Sequence, residues 1–357
     1  MAERIKVLIV DDSRLFRSAL EDALRDRDDI AVVGSVFSGA RALEFIRSTP
    51  PDVVTLDVEM PGMNGLETLE QIQQHNPSIG VVMVSSFTRH GADITVKALQ
   101  AGAFDFVTKP SGASPEENQT ALRDEVLSKV RACARHRARL GAPTRVVTSP
   151  QPPATLRSSS SAAPARVIVI GASTGGPRAL SKLLPELCSQ VNLPILIVQH
   201  LPRGFTQPLA DSLSRETKKS VLQATDGASI EAGVVYMAPG GQHLLIRGTM
   251  TAIKTGLSDQ PPENGCRPSA DVLFRSAASA FGSAVIAIIL TGMGRDGTAG
   301  LGAIRRAGGY VLAQDEASSV VWGMPGSAYE AGVTNEVLPL DKLARSVATL
   351  VQVRKRS

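Results

Sequence analysis

VIVIGASTGG, residues 167–176, is the stretch whose reading decides the fold of this chain. Val167–Ile170 is an unbroken β-branched run, the pattern of a strand buried on both faces. Gly171, Gly175 and Gly176 then mark a tight turn, and a helical period follows over Gly176–Leu187. A buried strand, a glycine turn and a helix form the repeating unit of an α/β sheet. The turn has three readings: a phosphate cradle, a plain turn, or a bend that presents Ser173 as a nucleophile. The spacing is not G-x-G-x-x-G, and no GK[ST] ending follows, which removes the phosphate loops. The G-x-S-x-G spacing suits a strand-to-helix bend carrying a serine. On these residues alone, the plain turn and the serine bend both stay open.

The same alternation runs outward in both directions. Further strands are expected at Ile195–Gln199, Ala284–Leu290 and Tyr310–Ala313, with Arg166–Ile170 as the first of the set. Helices are expected at Thr206–Thr217, Ser269–Phe281, Gly297–Ala307 and Leu340–Val353. Gly233 to Lys254 reads as a small hairpin pair inside this second α/β sheet. Toward the N-terminus, strands are expected at Ile5–Val10, Ile30–Ser35, Val53–Asp57, Gly80–Ser85 and Phe104–Thr108. Helices are expected at Ser13–Asp26, Gly39–Ser48, Asn64–His75, Ala92–Ala101 and Pro115–Arg139. Strictly alternating elements imply parallel sheets covered on both faces, with function at the carboxyl ends of the strands. Between the two halves, residues 140–165 are rich in Pro, Ser and Ala and have no period, as in a flexible linker. The expected organisation is a domain over 1–139, a linker over 140–165 and a second domain over 166–357.

Composition bounds the function classes. The chain has 357 residues, 43% hydrophobic and 20% charged, which is enough for two ordinary cores. The net charge of +4 comes largely from Arg131, Arg135, Arg137, Arg139, Arg145 and Arg354-Lys355-Arg356. No helix-turn-helix, zinc-finger or RNA-binding signature accompanies them, so no nucleic-acid partner is expected. The three cysteines, Cys133, Cys188 and Cys266, are far apart and fit no disulfide framework or metal-ligand spacing. No stretch approaches the ~18 apolar residues of a membrane span, and no leader is apparent. A cytoplasmic protein without membrane insertion is expected.

Acids gather at N-terminal strand ends. Asp11 and Asp12 close LIVDD, and Asp57 closes VVTLD. Alone, Asp11-Asp12 would serve as a helix N-cap. Parallel strand ends converge, however, and packed carboxylates are costly without a cation. A hard divalent ion such as Mg²⁺ would offset that cost. Ser85 closes the fourth strand and Lys109 follows the fifth, a hydroxyl and an ammonium suited to a phosphoryl group. LIVDDS, TLDVEMPGMNGLE, MVSS and AGAFDFVTKP resemble the receiver domain of two-component response regulators, over residues 4 to about 125. The resemblance implies a flavodoxin-like fold in which Asp57 accepts a phosphoryl group from a histidine kinase. It also implies Mg²⁺ held by Asp11, Asp12, Asp57 and the Glu59 carbonyl. Ser85 and Lys109 would sense the phosphoryl group, with Phe106 at the aromatic switch position.

In the second domain, His200 ends ILIVQH and Asp296 lies just beyond AVIAIILT, in GMGRDG. Each has a plain role available, His200 as a hydrogen-bonded strand end and Asp296 as a helix cap. Three residues beyond three strands can also converge as a serine–histidine–aspartate triad. The chain order serine, histidine, acid differs from that of α/β-hydrolases. VIGASTGGP, VQHLPRGFT, YMAPGGQHL, RPSADVLFRSAA, ILTGMGRDGTAGL and QDEASSVVWGMPGSA resemble the catalytic domain of chemotaxis protein-glutamate methylesterases. That resemblance implies a mostly parallel, doubly wound α/β domain acting without a cofactor. Its substrates would be methyl-esterified glutamates of chemoreceptors, giving glutamate and methanol, with deamidation of receptor glutamines besides. It places Ser173 as nucleophile, His200 as base and Asp296 as orienting acid. Backbone N–H groups around Thr174 and Met293 would bind the oxyanion, and Arg203, Met293 and Trp322 would line the cleft. Cys266 stands where the family often has a histidine, and reads as a small cleft-adjacent residue with no histidine beside it in sequence. The tether suggests that the receiver covers the cleft until Asp57 is phosphorylated. A non-catalytic scaffold and a small-molecule amidase are the competing readings.

Overall fold

The computed structural model describes residues 4–110, 114–141, 163–249 and 252–356. Two compact units, Met1–Arg145 and Val146–Ser357, make up the chain. Most of the expected linker, residues 142–162, lies outside the described residues.

The first unit runs β1 (Ile5–Val10), α1 (Arg14–Leu24), β2 (Ile30–Val36), α2 (Gly39–Ser48), β3 (Val53–Asp57), α3 (Gly65–His75), β4 (Gly80–Ser85), α4 (Arg89–Ala101), β5 (Asp105–Thr108) and α5 (Pro115–Gly141). Its five strands are parallel, in the order β2-β1-β3-β4-β5. This is the flavodoxin-like order, whose switch point lies between β1 and β3. Sequence chemistry sets the helix ends. Ser13 caps α1 through its Oγ, which accepts from the Phe16 N–H. Asn64 and Glu67 close a capping box on α3. Gly102, at φ 113°, ends α4 in the left-handed conformation that glycine takes without strain.

The second unit runs β6 (Val167–Ala172), α6 (Gly176–Gln190), β7 (Ile195–Gln199), α7 (Thr206–Thr217), β8 (Val221–Gln223), β9 (Val235–Met237), β10 (His243–Thr249), β11 (Ala252–Ser258), α8 (Ala270–Phe281), β12 (Val285–Ile289), α9 (Thr298–Arg306), β13 (Tyr310–Gln314), α10 (Met324–Glu330), β14 (Glu336–Leu338) and α11 (Leu340–Arg356). Seven strands form one parallel sheet, ordered β14-β13-β12-β6-β7-β9-β8. The chain moves from β6 to β7 on one side and later returns to β12 on the other. β6 is thus the switch strand, and a crevice opens beyond its carboxyl end. Val167, Ile168, Val169 and Ile170 are fully buried. Each such side chain contributes about 1.5–3 kcal/mol to burial.

The middle of this unit corrects the expected hairpin pair. β9 joins the main sheet as a parallel strand. β10 and β11 instead form one antiparallel hairpin that is a separate two-stranded sheet. Leu244 and Ile246 on its inner face join a core with Leu273 and Ala277 of α8. The Ile246 N–H donates to Ser276 Oγ at 3.0 Å. In HLLIRGT, Leu244 and Ile246 are buried while Leu245 between them is only partly so and Arg247 is exposed, unlike the fully buried strands β6 and β12.

Candidate functional site

Two clusters of polar side chains sit at the two switch points. In the first unit, Asp11 follows β1 and Asp57 ends β3, and both are buried, while Asp12 is exposed. Carboxylate oxygens of these three residues lie within 4.8 Å of one another. Lys109, beyond β5, places Nζ 2.8 Å from Asp11 Oδ2 and 2.8 Å from Asp57 Oδ2. Burial pushes the Asp57 carboxyl up, and the Asp11 charge adds to this. The Lys109 ammonium opposes both, and the result is a pKa of about 6. Burial works against the charged Lys109, but its two carboxylate partners hold its pKa above the usual value. Nζ also lies 4.8 Å from the Phe16 ring centroid.

The other expected residues of this pocket have different partners. Ser85 is fully buried, and its Oγ lies 2.8 Å from Thr95 Oγ1. The Glu59 N–H donates to Asp57 Oδ1 at 3.4 Å. The Glu59 side chain turns aside, with Oε2 accepting from Ser86 Oγ at 2.5 Å and Thr88 Oγ1 at 3.3 Å. Phe106 is buried, with Lys129 Nζ 5.1 Å from its ring centroid. Arg17 was not singled out in sequence. Its Nη1 donates to the Asp11 carbonyl at 2.7 Å and the Asp12 carbonyl at 3.1 Å, pinning the loop that carries both acids. Its position one turn into α1 was the available signal.

In the second unit, β6 and β7 pair in register to Ala172 and Gln199. Ser173 and His200 therefore leave adjacent strand ends. The Ser173 N–H donates to the Thr291 carbonyl at 3.0 Å, and its own carbonyl accepts from the Gly176 N–H at 2.7 Å. Gln199 Nε2 bridges the Ser173 and His200 carbonyls at 3.0 and 3.2 Å. The turn leaves no room for larger residues. A Cβ on Gly176 would lie 1.9 Å from Gln199 Oε1. Gly175, at φ 78°, would bring a Cβ 2.7 Å from Val320.

Asp296 reaches His200 from beyond β12. His200 Nε2 lies 2.8 Å from Asp296 Oδ2. The Asp296 carboxylate also accepts from Ser269 Oγ at 2.7 Å, the Ala270 N–H at 2.6 Å and the Asp271 N–H at 3.3 Å, all at the start of α8. Asn264 Nδ2 adds a contact at 3.3 Å. Burial opposes its charge, but His200 and these donors outweigh it and hold the Asp296 pKa at about 2. For His200, burial opposes the imidazolium. Its bond to Asp296 and the neighbouring Cys266 outweigh burial and raise its pKa to about 9.

Cys266 lies beside the site, with a partner the sequence did not show. The fold brings its Sγ 3.6 Å from His200 Nδ1, although no histidine lies near it in the chain. His200 thus has Asp296 at one ring nitrogen and Cys266 at the other. Thr174 is buried, and its carbonyl accepts from Thr291 Oγ1 at 3.0 Å. Met293 lies one residue past Gly292, where an added Cβ would come 2.8 Å from Ser173 Cβ. Gly292 and Trp322 form a bridge that ties this loop to the start of α10. Arg203 is exposed and packs over Gly241, where a Cβ would lie 2.4 Å from Arg203 Nε. Sequence reading missed Ser269, Asn264 and Gln199. The serine before the helix in RPSAD was the one legible signal, as a helix start facing an anion.

A carboxylate–lysine pocket on one parallel sheet and a serine, a histidine and an acid around the switch strand of another define a receiver-type domain joined to a hydrolase-type α/β domain. The CheB methylesterase family profile matches residues 168–347, and the response regulator receiver domain profile matches residues 7–122. A relative from Desulfotalea psychrophila is 40% identical over 98% of this chain and all of its own length. One from Geobacillus kaustophilus is 44% identical over 97% of this chain and 99% of its own. Both are named protein-glutamate methylesterase/protein-glutamine glutaminase. The crystal structure of the Thermotoga maritima CheB methylesterase catalytic domain aligns with a TM-score of 0.51 and 40% identity. It covers 52% of this chain and 99% of that one. The chain belongs to the CheB methylesterase family.

Proposed function

We propose that this chain is a phosphorylation-controlled protein-glutamate methylesterase of a chemotaxis or related chemosensory pathway. It removes methyl groups from glutamate methyl esters of chemoreceptors and deamidates receptor glutamines by the same acyl chemistry. The receiver spans 1–139, the linker 140–165 and the catalytic domain 166–357. The observation that carries the reading is the His200–Asp296 contact of 2.8 Å at the switch point, beside the turn that bears Ser173. The names of the full-length relatives support the substrate class.

Ser173 attacks the ester carbonyl while His200 in its neutral form takes its proton, so the rate should climb as pH rises toward about 9. Asp296 occupies Nε2, so Nδ1 is the atom that receives the proton. The developing oxyanion is bound by N–H groups around Thr174 and Met293. His200 then returns the proton to the departing methanol. The acyl-serine is hydrolysed by a water that His200 activates, releasing glutamate. Arg203 and Trp322 line the cleft that admits the receptor segment. No cofactor is needed in these steps.

In the receiver, Asp57 takes a phosphoryl group from a histidine kinase. The donor set fits Mg²⁺, since three carboxylates, two of them buried, crowd within 4.8 Å. Asp11, Asp12, Asp57 and the Glu59 carbonyl would hold the ion, which when bound neutralises the carboxylates and the phosphoryl charge. Ser85 and Lys109 then contact the phosphoryl group, and Phe106 reports the change. Among the described residues no helix is long and apolar enough to cross a membrane. We place the protein in the cytoplasm, where receptor signalling helices are reached. Mass spectrometry of methylated receptor tests the reading. Methyl ester loss at receptor glutamates is expected with wild type, and its persistence in a Ser173→Ala protein would sink the assignment.

A further inference from the structure

We infer that His200 and Cys266 together form a binding site for a soft divalent cation of the zinc class, and that filling it stops the esterase. The second half rests on the reading of His200 as the base; the binding does not.

Three observations converge. First, Cys266 Sγ lies 3.6 Å from His200 Nδ1. Two donors sharing a tetrahedral zinc, at bond lengths of about 2.3 Å to sulfur and about 2.0 Å to nitrogen, sit about 3.5 Å apart. Little movement is therefore needed to receive the ion. Second, Asp296 Oδ2 lies 2.8 Å from the opposite ring nitrogen and is fixed there by Ser269 and Ala270. A carboxylate behind a ligating imidazole sets its tautomer, points the free lone pair outward and strengthens it as a ligand. Third, sulfur, nitrogen and oxygen donors of all three residues lie within 4.8 Å of one another. A thiol beside an imidazole selects a soft ion over Mg²⁺.

Access and selectivity follow. Cys266 is partly exposed, on the segment between β11 and α8, so an ion reaches it from solvent. Cys133 and Cys188 are buried, and burial pushes their thiols up to about 12 and about 11. Neither competes. On binding, the Cys266 S–H bond breaks and a sulfur–metal bond forms, and below about pH 9 the ion also displaces the Nδ1 proton of His200; both protons leave to solvent, with no change of oxidation state. Nδ1 gives its lone pair to the ion and no longer accepts the Ser173 proton.

The test uses the full chain in saturating Mg²⁺, with Co²⁺ as a spectroscopic probe and Zn²⁺ as competitor. A near-ultraviolet thiolate-to-cobalt band is expected, abolished by Zn²⁺ and absent in Cys266→Ser. Asp296→Asn should weaken Co²⁺ binding roughly 10-fold to 100-fold. Zn²⁺ should also protect Cys266 of wild type from iodoacetamide, read by peptide mass, which requires no variant to fold. Esterase rates are compared with each protein's own rate before Zn²⁺. Wild type should lose most of its rate, and Cys266→Ser should resist Zn²⁺ by roughly the same 10-fold to 100-fold. No band, no protection, or equal inhibition of both proteins overturns the inference. An active esterase without band or protection overturns it alone. A band in a protein inactive before Zn²⁺ supports the site and sinks the functional reading instead.

Discussion

Replacing Asp296 by Asn perturbs the site at its most heavily bonded group. The carboxylate accepts from His200, Ser269, Ala270, Asp271 and Asn264. An amide of the same shape keeps one acceptor oxygen and turns an NH₂ toward donors. His200 then loses the partner that offsets its burial. Its pKa should fall from about 9 to below the ordinary 6.5, an interval of roughly 3 kcal/mol. The imidazole also loses the acceptor that fixes its tautomer, so kcat should drop by about 10⁴-fold. The sign of the stability change follows from both groups. A raised histidine pKa stabilises the fold fully below pH 6.5, and that contribution is lost as pH climbs through about 9. A lowered carboxylate pKa stabilises above pH 3.8, and that contribution is lost as pH falls through about 2. The stability gap between wild type and variant should be widest between pH 3.8 and 6.5. NMR titration of the His200 ring in EDTA, urea melts across pH and methanol-release rates read the three effects. A variant whose His200 still titrates near 9, or whose rate falls less than about tenfold, refutes the reasoning.

Further outcomes are expected elsewhere. Ser173→Ala should lower kcat at least about 10³-fold with an unchanged melting temperature, by methanol release and calorimetry. Asp57→Asn should abolish phosphoryl uptake from a small phosphodonor, read on phosphate-affinity gels, while leaving Co²⁺ binding at Cys266 intact. Gly176→Ala places a Cβ 1.9 Å from Gln199 Oε1 and should cost about 1–3 kcal/mol in urea melts. Shortening the obstruction with Gln199→Ala should recover at least about 0.5 kcal/mol of that loss, seen in a double-mutant cycle.

Much of this was legible in the chain because buried parallel strands are written as unbroken apolar runs. β1, β3, β4 and β7 begin and end where Ile5–Val10, Val53–Asp57, Gly80–Ser85 and Ile195–Gln199 do. Those runs also place Asp11, Asp57, Ser173 and His200 at carboxyl edges. The three-residue strands β8, β9 and β14 were not legible, since VLQ, VYM and EVL are too short to show a period. The single hairpin was misjudged because an apolar stretch such as Leu244–Ile246 marks a strand, and not which sheet that strand joins. The histidine partner of Cys266 was hidden for a different reason. Its loop is tied back by the Glu263–Cys266 bridge, and the residue it meets, His200, lies 66 positions away in the chain. Distance along the chain carries no trace of that contact. The donors on Asp296 were half-visible, as a serine before a helix, but their target was not.

The central claim is that Ser173 is a nucleophile whose activity Asp57 controls. Methanol release from methylated receptor, with and without a small phosphodonor, tests it most directly. Wild type should release methanol faster once the phosphodonor is added. Asp57→Asn should show no such gain, and Ser173→Ala should release none under either condition. Release by Ser173→Ala at the wild-type rate, or an equal gain in Asp57→Asn, would contradict the account.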